Sequence, residues 1–331
     1  WCVNATLTGL TARVRLEARD DDLLRINAGT YGDTVLPLGE AGRAGSMFAK
    51  ALALHNYASI FHFGMDVKVN CEFGAIGLSS SSSVASLFNV ALTLICGEPH
   101  DPLTIAKQTQ AIEPHWYGRQ DQLSVAFGGL NLWHMTPGAV EDGVAVDFGE
   151  IERFPITMPT GIREKLCNEC FLIYDSGIEE GASGVLECVA ANYETDSSLR
   201  ATFAEMNDLA RGIYHILSRP RGDIKWLREL GEAFNAIREA HERLHPSVTN
   251  QRLQDLLKAA RRAGALGGRY SGAGGRGALT FICRPGETAR VTAALDNVST
   301  PHRVNGRTFT KGRQIHYGCF GDTRARAWFV G

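Results

Sequence analysis

Five consecutive serines, Ser79 to Ser83, stand between the pair Gly77–Leu78 and an apolar stretch with helical spacing. Val84, Leu87, Phe88, Ala91, Leu92 and Ile95 share one face of that stretch, and the alternating residues of "DVKVNCE" lie just ahead of the loop. The segment therefore reads as a strand, a loop of small residues and a buried helix. Serine is a poor interior helix former but a favoured N-cap, which places the run at the helix entrance. Uncovered amides at the positive end of a helix dipole suit an anion, most often phosphate. A plain serine cap or a low-complexity linker fits the same residues.

With 331 residues the chain has room for two domains, and 44% hydrophobic against 21% charged residues is a globular balance. A formal charge of −2 gives no basic footprint for nucleic acid or an anionic membrane. The apolar stretch from Val84 to Cys96 is interrupted by polar residues and too short to span a bilayer. No leader-like segment is visible, and the eight cysteines form no framework, so reduced thiols and a cytoplasmic setting are expected. Cys167 and Cys170 make a lone CxxC, which supplies only two metal ligands.

In the first half, Leu10, Ala12, Val14 and Leu16 alternate with polar residues as a half-exposed strand. Asp101–Pro102 opens a helix, and "GGLNLWHM" and "GVAVDFGEI" read as two strands joined by a turn around Pro137–Gly138. After residue 155 helices dominate. Leu199, Phe203, Met206, Leu209, Ile213 and Ile216 share one face, and Ile224, Leu227, Phe234, Ile237, His241 and Leu244 another, with Asp223 as cap. His241 there reads as a helix-edge residue rather than a ligand. "CFLIYDS", "LTFIC" and "GRQIHYG" read as strands.

A second loop, "GALGGRYSGAGGRG" at 264–277, sits between a helix and the strand from Leu279 to Cys283. So many glycines are costly in conformational entropy and suit a backbone lying against phosphate or against another backbone. The loop is neither a Walker A sequence nor a dinucleotide fingerprint.

The two loops in this order, "GLSSS" before a helix and "GGRYSGAGGRG" before a strand, resemble motifs two and three of the GHMP kinases. "GRQDQLSVAFGGLNL", "LIYDSGI" and "HPSVTNQRLQDLLKAARRAGALGGRYSGAGG" are similar to the sugar branch typified by D-glycero-D-manno-heptose 7-phosphate kinase. The resemblance implies an α+β, two-domain fold: a ribosomal-S5-like N-terminal domain over 1–155 and a ferredoxin-like C-terminal domain over 156–331. ATP and Mg²⁺ are the implied cofactors. Gly77, Leu78, Ser79, Ser80, Ser81 and Ser82 would wrap the triphosphate, and Gly272, Gly274 and Gly275 would close the second loop near it. Ser81 and Glu113 are the implied magnesium ligands, a normal hydroxyl-and-carboxylate set. Asp121 is the implied catalytic base, with Gln120 and Gln122 orienting substrate hydroxyls and Arg119 a possible aid to charge stabilisation.

The chain departs from the family pattern at four places. The family's first motif has no counterpart in the sequence from Trp1 on and either lies upstream of it or is lost, Glu113 and Asp121 are closely spaced, Phe73 stands near the usual proline, and Arg276 interrupts the third glycine run. The implied function is a kinase for a sugar or sugar-like small molecule, acting at a hydroxyl, with the anomeric one favoured. An aminocyclitol or nucleoside kinase, or a non-catalytic nucleotide-binding homologue, are the alternatives. The oligomeric state is unspecified. Glu179 and Glu180 follow "LIYDSGI" where the heptose branch carries a cation. Glu180 as a substrate-binding residue would favour a neutral or amino acceptor over a phosphorylated one.

Overall fold

The computed structural model describes residues 1–8, 11–29, 33–43, 46–72, 78–99, 101–113, 118–138, 140–141, 144–145, 148–178, 185–304, 307–316 and 319–320. In the first half, strands β1 (Cys2–Ala5), β2 (Ala12–Ala18), β3 (Leu23–Asn27), β4 (Thr34–Pro37) and β5 (Met65–Cys71) precede the serine run. Helices α1 (Met47–Leu54) and α2 (Tyr57–Ile60) fall between β4 and β5. The run itself opens α3 (Ser80–Ile95), followed by α4 (Pro102–Ile112), α5 (Gln120–Phe127) and β6 (Leu130–Met135). Two-residue strands β7 (Val140–Glu141) and β8 (Val144–Ala145) then lead to β9 (Ile151–Pro155).

One sheet has the order β2-β5-β3-β4, with β3 and β5 parallel, and a second has the order β1-β6-β9. The first packs its Leu24, Ile26, Met65 and Val67 against Phe48 and Leu52 of α1 and Val84, Phe88 and Leu92 of α3. Helix α3 is buried on most of its circumference, including Ser86, Asn89 and Thr93. Its polar groups are met inside: Ser86 shares a hydrogen bond with Thr109 at 3.2 Å, and Asn89 Oδ1 meets His55 Nε2 at 2.7 Å. The Asp101 cap of α4 forms as read, accepting from the Leu103 and Thr104 amides.

The strand expected over 143–151 is displaced. β6 pairs with β9, Leu132 opposite Phe154, while 140–141 and 144–145 form only a short ribbon. Gly149 has φ +62°, so the chain turns there and enters the sheet only at Ile151.

The second half runs α6 (Thr160–Lys165), β10 (Phe171–Asp175), α7 (Val185–Tyr193), α8 (Ser197–Ser218), α9 (Ile224–Leu244) and α10 (Gln251–Arg262). Strands β11 (Ala265–Tyr270) and β12 (Ala278–Cys283) follow, then α11 (Thr288–Val298), the ribbon β13 (His302–Val304) and β14 (Arg307–Phe309), and β15 (Arg313–Ile315). The sheet order is β11-β12-β10-β15, all antiparallel, so the closing strand flanks the opening one. With helices between its first and second and its third and fourth strands, this is the ferredoxin-like βαββαβ layout. Asp223 caps α9 by accepting from the Trp226 amide at 2.7 Å. Ile224, expected on the buried face, is 41% exposed, and Trp226 occupies the core instead.

A third cluster joins the halves: Leu166, Ile213, Trp226, Leu227, Leu230, Ile282 and Phe320 pack with Val3, Ala5, Leu7 and Leu130. Cys167 belongs to it, and its Sγ lies 2.9 Å from Cys319 Sγ; all eight cysteines are free thiols. Helix α9 reaches β11 through two glycines. A Cβ on Gly231 would lie 2.8 Å from the Leu266 carbonyl carbon, and one on Gly267 would overlap the Gly231 carbonyl oxygen. Replacing Gly267 by Ala should push α9 off the sheet and destabilise the protein by about 3 kcal/mol. Denaturant unfolding checks this; a change within about 0.5 kcal/mol would show that the close approach is dispensable.

Candidate functional site

Ser79, the residue preceding α3, has φ +59°; among the described residues only Asn56 shares such a conformation outside glycine. A left-handed serine is strained, and such strain collects where function requires it. Contrary to the plain capping expectation, the Ser79 side chain accepts nothing from the helix. It lies close enough to Asp121, in the first turn of α5, to lower the pKa of that carboxyl.

Two residues further on, the serine hydroxyls turn to Glu113, at the end of α4. Ser81 Oγ donates to Glu113 Oε1 at 2.8 Å, and Ser82 Oγ donates to Oε1 and Oε2 at 3.0 and 2.9 Å. Gln122 Nε2 donates to Glu113 Oε2. Burial raises the Glu113 pKa, against the lowering by these hydrogen bonds; the nearby Asp121 charge raises it further. Burial likewise raises the Asp121 pKa, with the nearby Ser79 hydroxyl opposing. The short spacing from Glu113 to Asp121 thus brings both carboxylates to the entrance of α3, Glu113 held by two serine hydroxyls and Asp121 near a third.

Asp121, Leu78, Ser79, Ser83 and Gln120 line a cavity of about 670 Å³ between the two halves. Its far wall is largely apolar, built from Phe203, Met206 and Ile213 of α8 and Phe234 and Ile237 of α9. Ser271 and Gly272 bring the start of the glycine loop to it. Gly272, Gly274 and Gly275 all have positive φ, at +68°, +81° and +72°. The last two lean on the turn before α10: the Gly275 amide donates to Val248 O at 2.6 Å and Asn250 Nδ2 to Gly275 O at 2.9 Å.

The sequence-expected residues therefore separate. Leu78, Ser79, Gln120, Asp121 and Gly272 face the cavity; Ser81, Ser82 and Glu113 form the carboxylate cluster beside it. Ser80 is buried. Gln122 is corrected: it is 5% exposed and holds Glu113 rather than facing the cavity, because it sits one residue round the helix from Asp121. Arg119 reaches Thr136 O at 2.7 Å and lies over the Phe148 ring, so it braces the end of β6. Gly77, Glu179 and Glu180 lie outside the described residues.

Three cavity residues escaped the sequence reading. Asn4 and Thr6 of the β1 segment bond the Gln120 and Ser124 carbonyls at 3.3 and 3.2 Å, fixing α5. Arg269 lines the cavity from β11. The alternation of β11 could have flagged it, since Gly268 and Tyr270 are buried on either side. Away from the cavity, ligand atoms of His55, Cys96 and Glu98 lie within 4.8 Å of one another. Both His55 nitrogens are already bonded there, to Glu98 and Asn89.

Comparison with known proteins shows what the chain is similar to. Residues 213–299 match the model described as GHMP kinases C terminal. A mevalonate kinase from Aeropyrum pernix is 28% identical over 172 residues, 52% of this chain and 51% of that protein; the match thus spans about half of that relative's length. The Lactococcus lactis galactokinase complexed with galactose superposes with a TM-score of 0.64 at 16% identity, covering 93% of this chain and 87% of that one. A D-glycero-D-manno-heptose 1-phosphate kinase from Bacteriodes thetaiotaomicron gives 0.57 at 18% identity, covering 95% and 89%. These likenesses show a shared two-domain α+β fold. No helix among the described residues is long and apolar enough to cross a membrane.

The raised Asp121 pKa has a thermodynamic sign. A carboxyl whose folded pKa exceeds its ordinary value of 3.8 holds its proton longer when folded. Its ionisation therefore removes stability as pH rises through that window. Asp121→Asn should raise the melting temperature at pH 7 by roughly 2 °C, and the gain should shrink below pH 3.8. A thermal scan against pH checks it; a lower melting temperature at pH 7 would mean that the charge is stabilising.

Proposed function

We propose that this chain, a member of the GHMP kinase superfamily, transfers the γ-phosphoryl group of ATP to a hydroxyl of a sugar or sugar-like small molecule. The anomeric hydroxyl is the favoured acceptor by the resemblance to the sugar branch. One observation carries the reading: a partly buried carboxylate, Asp121, meets the serine-lined entrance of α3 in a cavity large enough for a small molecule.

Each side chain then has a defined task. Asp121 accepts the proton of the attacking hydroxyl, and its raised pKa brings it toward the basicity that proton transfer needs. The nearby Ser79 hydroxyl favours the ionised form of that carboxylate. The amides around Leu78 to Ser82, at the positive end of α3, stabilise phosphate oxygens. Gly272 lets the second loop approach without a side chain between backbone and ligand. Gln120 and Asn4 offer polar contacts to acceptor hydroxyls.

A magnesium site fits the donor set. A partly buried carboxylate already gathering the Ser81 and Ser82 hydroxyls presents hard oxygen ligands suited to that ion. Ser81 and Glu113 would hold Mg²⁺, which supplies charge neutralisation for the phosphates. Gln122 keeps the Glu113 carboxylate turned toward the serines.

Two variants and one screen test the reading. Ser81→Ala should weaken Mg-ATP binding by calorimetry while the melting temperature stays close to that of the parent. Unchanged affinity together with unchanged turnover would remove the serine from the site. Asp121→Asn should lower turnover by ~10²–10⁴-fold with acceptor binding retained. A variant within a few-fold of the parent would show that another group takes the proton. A mass-shift assay with ATP and a panel of sugars, aminocyclitols and nucleosides identifies the acceptor. No phosphorylated product from any of them would favour a non-catalytic nucleotide-binding protein.

A further inference from the structure

The cavity wall is chemically lopsided. Among the described side chains lining it, only Asp121 and Arg269 carry a full charge. Asp121 lies near Ser79 at the α3 entrance. Arg269 projects from the other half of the molecule, on β11. Its contacts among the described residues are a bond from Nε to Tyr270 O at 3.2 Å and the Phe234 ring, 5.9 Å from the guanidinium carbon. Neither is a carboxylate, and neither uses the two terminal nitrogens.

A half-buried guanidinium stays protonated, so this is a standing positive charge without a counter-ion in a mostly apolar recess. Its neighbours report that charge. His241 of α9 is pushed down to about 4, chiefly by burial and then by Arg269, so it adds no positive charge of its own at neutral pH. The Cys2 thiol is raised to about 11 by burial, with Arg269 opposing and Asp121 reinforcing, so both charged groups are felt at Cys2, and all three residues line the cavity. An unpaired charge in such a place is unfavourable unless something brings its partner. A planar fork of donors matches the paired oxygens of a carboxylate or a phosphate.

We propose that Arg269 is the specificity-determining residue of the acceptor subsite, and that the acceptor carries an anionic group, carboxylate or phosphate, bound by its terminal nitrogens. The acceptor's hydroxyl then lies at Asp121 and its anion at Arg269, with the apolar faces of α8 and α9 against the carbon skeleton between them. This rests on the kinase reading and narrows it to acidic acceptors. It also opposes the preference for neutral or amino acceptors expected from Glu179 and Glu180. The chain departs from a purely sugar-binding wall in the same direction, since Phe203, Met206, Ile213 and Phe234 offer a sugar ring no hydrogen bonds.

The test separates the subsite from the kinase. With the full chain saturated by a non-hydrolysable ATP analogue and Mg²⁺, inorganic phosphate and acetate are titrated by calorimetry and NMR, one arm for each anion chemistry. At least one should bind the parent, and binding should fall by about 10²-fold in Arg269→Met and be partly restored in Arg269→Lys. The melting temperature of each variant is read alongside. If Arg269→Met does not fold, the comparison of Arg269→Lys with the parent still reads the dependence on the guanidinium fork. Affinity for the nucleotide analogue is measured separately and should be unchanged. No anion binding to the parent, or anion binding indifferent to Arg269, overturns the subsite. A loss of nucleotide affinity equal to the loss of anion binding also overturns it, because Arg269 would then serve ATP. A parent that binds the anion through Arg269 but takes no nucleotide keeps the subsite and loses the kinase. In the acceptor screen, higher kcat/KM for phosphorylated or carboxylated substrates than for neutral and amino sugars is expected, and the reverse order overturns the proposal.

Discussion

A partly buried carboxylate held by serine hydroxyls organises the candidate site. Glu113 ends α4, the serines open α3 and Gln122 belongs to α5, so one acidic group ties three helices at a single point. Burying a carboxylate is unfavourable without donors, and here each donor comes from a segment that the site requires in place. The same convergence sets Asp121 next to the strained Ser79. Displacing any one of the three helices would leave a partly buried charge unsatisfied, which makes the local geometry strongly determined.

The second half of the molecule contributes differently. Its ferredoxin-like sheet brings β11 and the glycine loop to the cavity, while α8 and α9 provide an apolar wall. That placement depends on α9 lying almost on the backbone of β11, which the Gly231–Gly267 contact permits. Hydrophobic clustering of β1 and β6 with α8 and α9 then joins the halves around the cavity. The serine-lined entrance of α3 and the Asp121 carboxylate thus sit on the first half. The standing positive charge and the apolar surface come from the second.

Much of this was legible in the residues themselves. Period-two alternation located β2 and β5, and period-3.6 faces located α3, α8 and α9, because those repeats follow directly from backbone geometry. Asp101 and Asp223 marked helix starts because their carboxylates satisfy amides one turn away. The serine run and the glycine loop were readable for a similar reason: a small or absent side chain leaves the backbone as the working surface. Where local rules competed with tertiary contacts, the reading slipped. The run at 143–151 has strand character, yet Gly149 turns the chain away and Ile151–Pro155 takes the pairing. Gln122 resembled Gln120 in sequence, but a rotation of about 100° per residue sends one to Glu113 and the other to the cavity.

What the sequence by itself determined is the set of elements, the two loops and the identity of the groups able to carry charge, since these depend on interactions within a few residues. The tertiary structure alone decided which of those groups meet. It paired Ser81 and Ser82 with Glu113, set Ser79 near Asp121, and drew Gly274 and Gly275 onto Val248 and Asn250. It also left Arg269 facing a cavity beside Cys2 and Phe234, residues far away along the chain. The physical reason is that burial and long-range Coulomb interactions depend on distance in space, and no local pattern encodes the solvent a side chain will lose when the halves close around it.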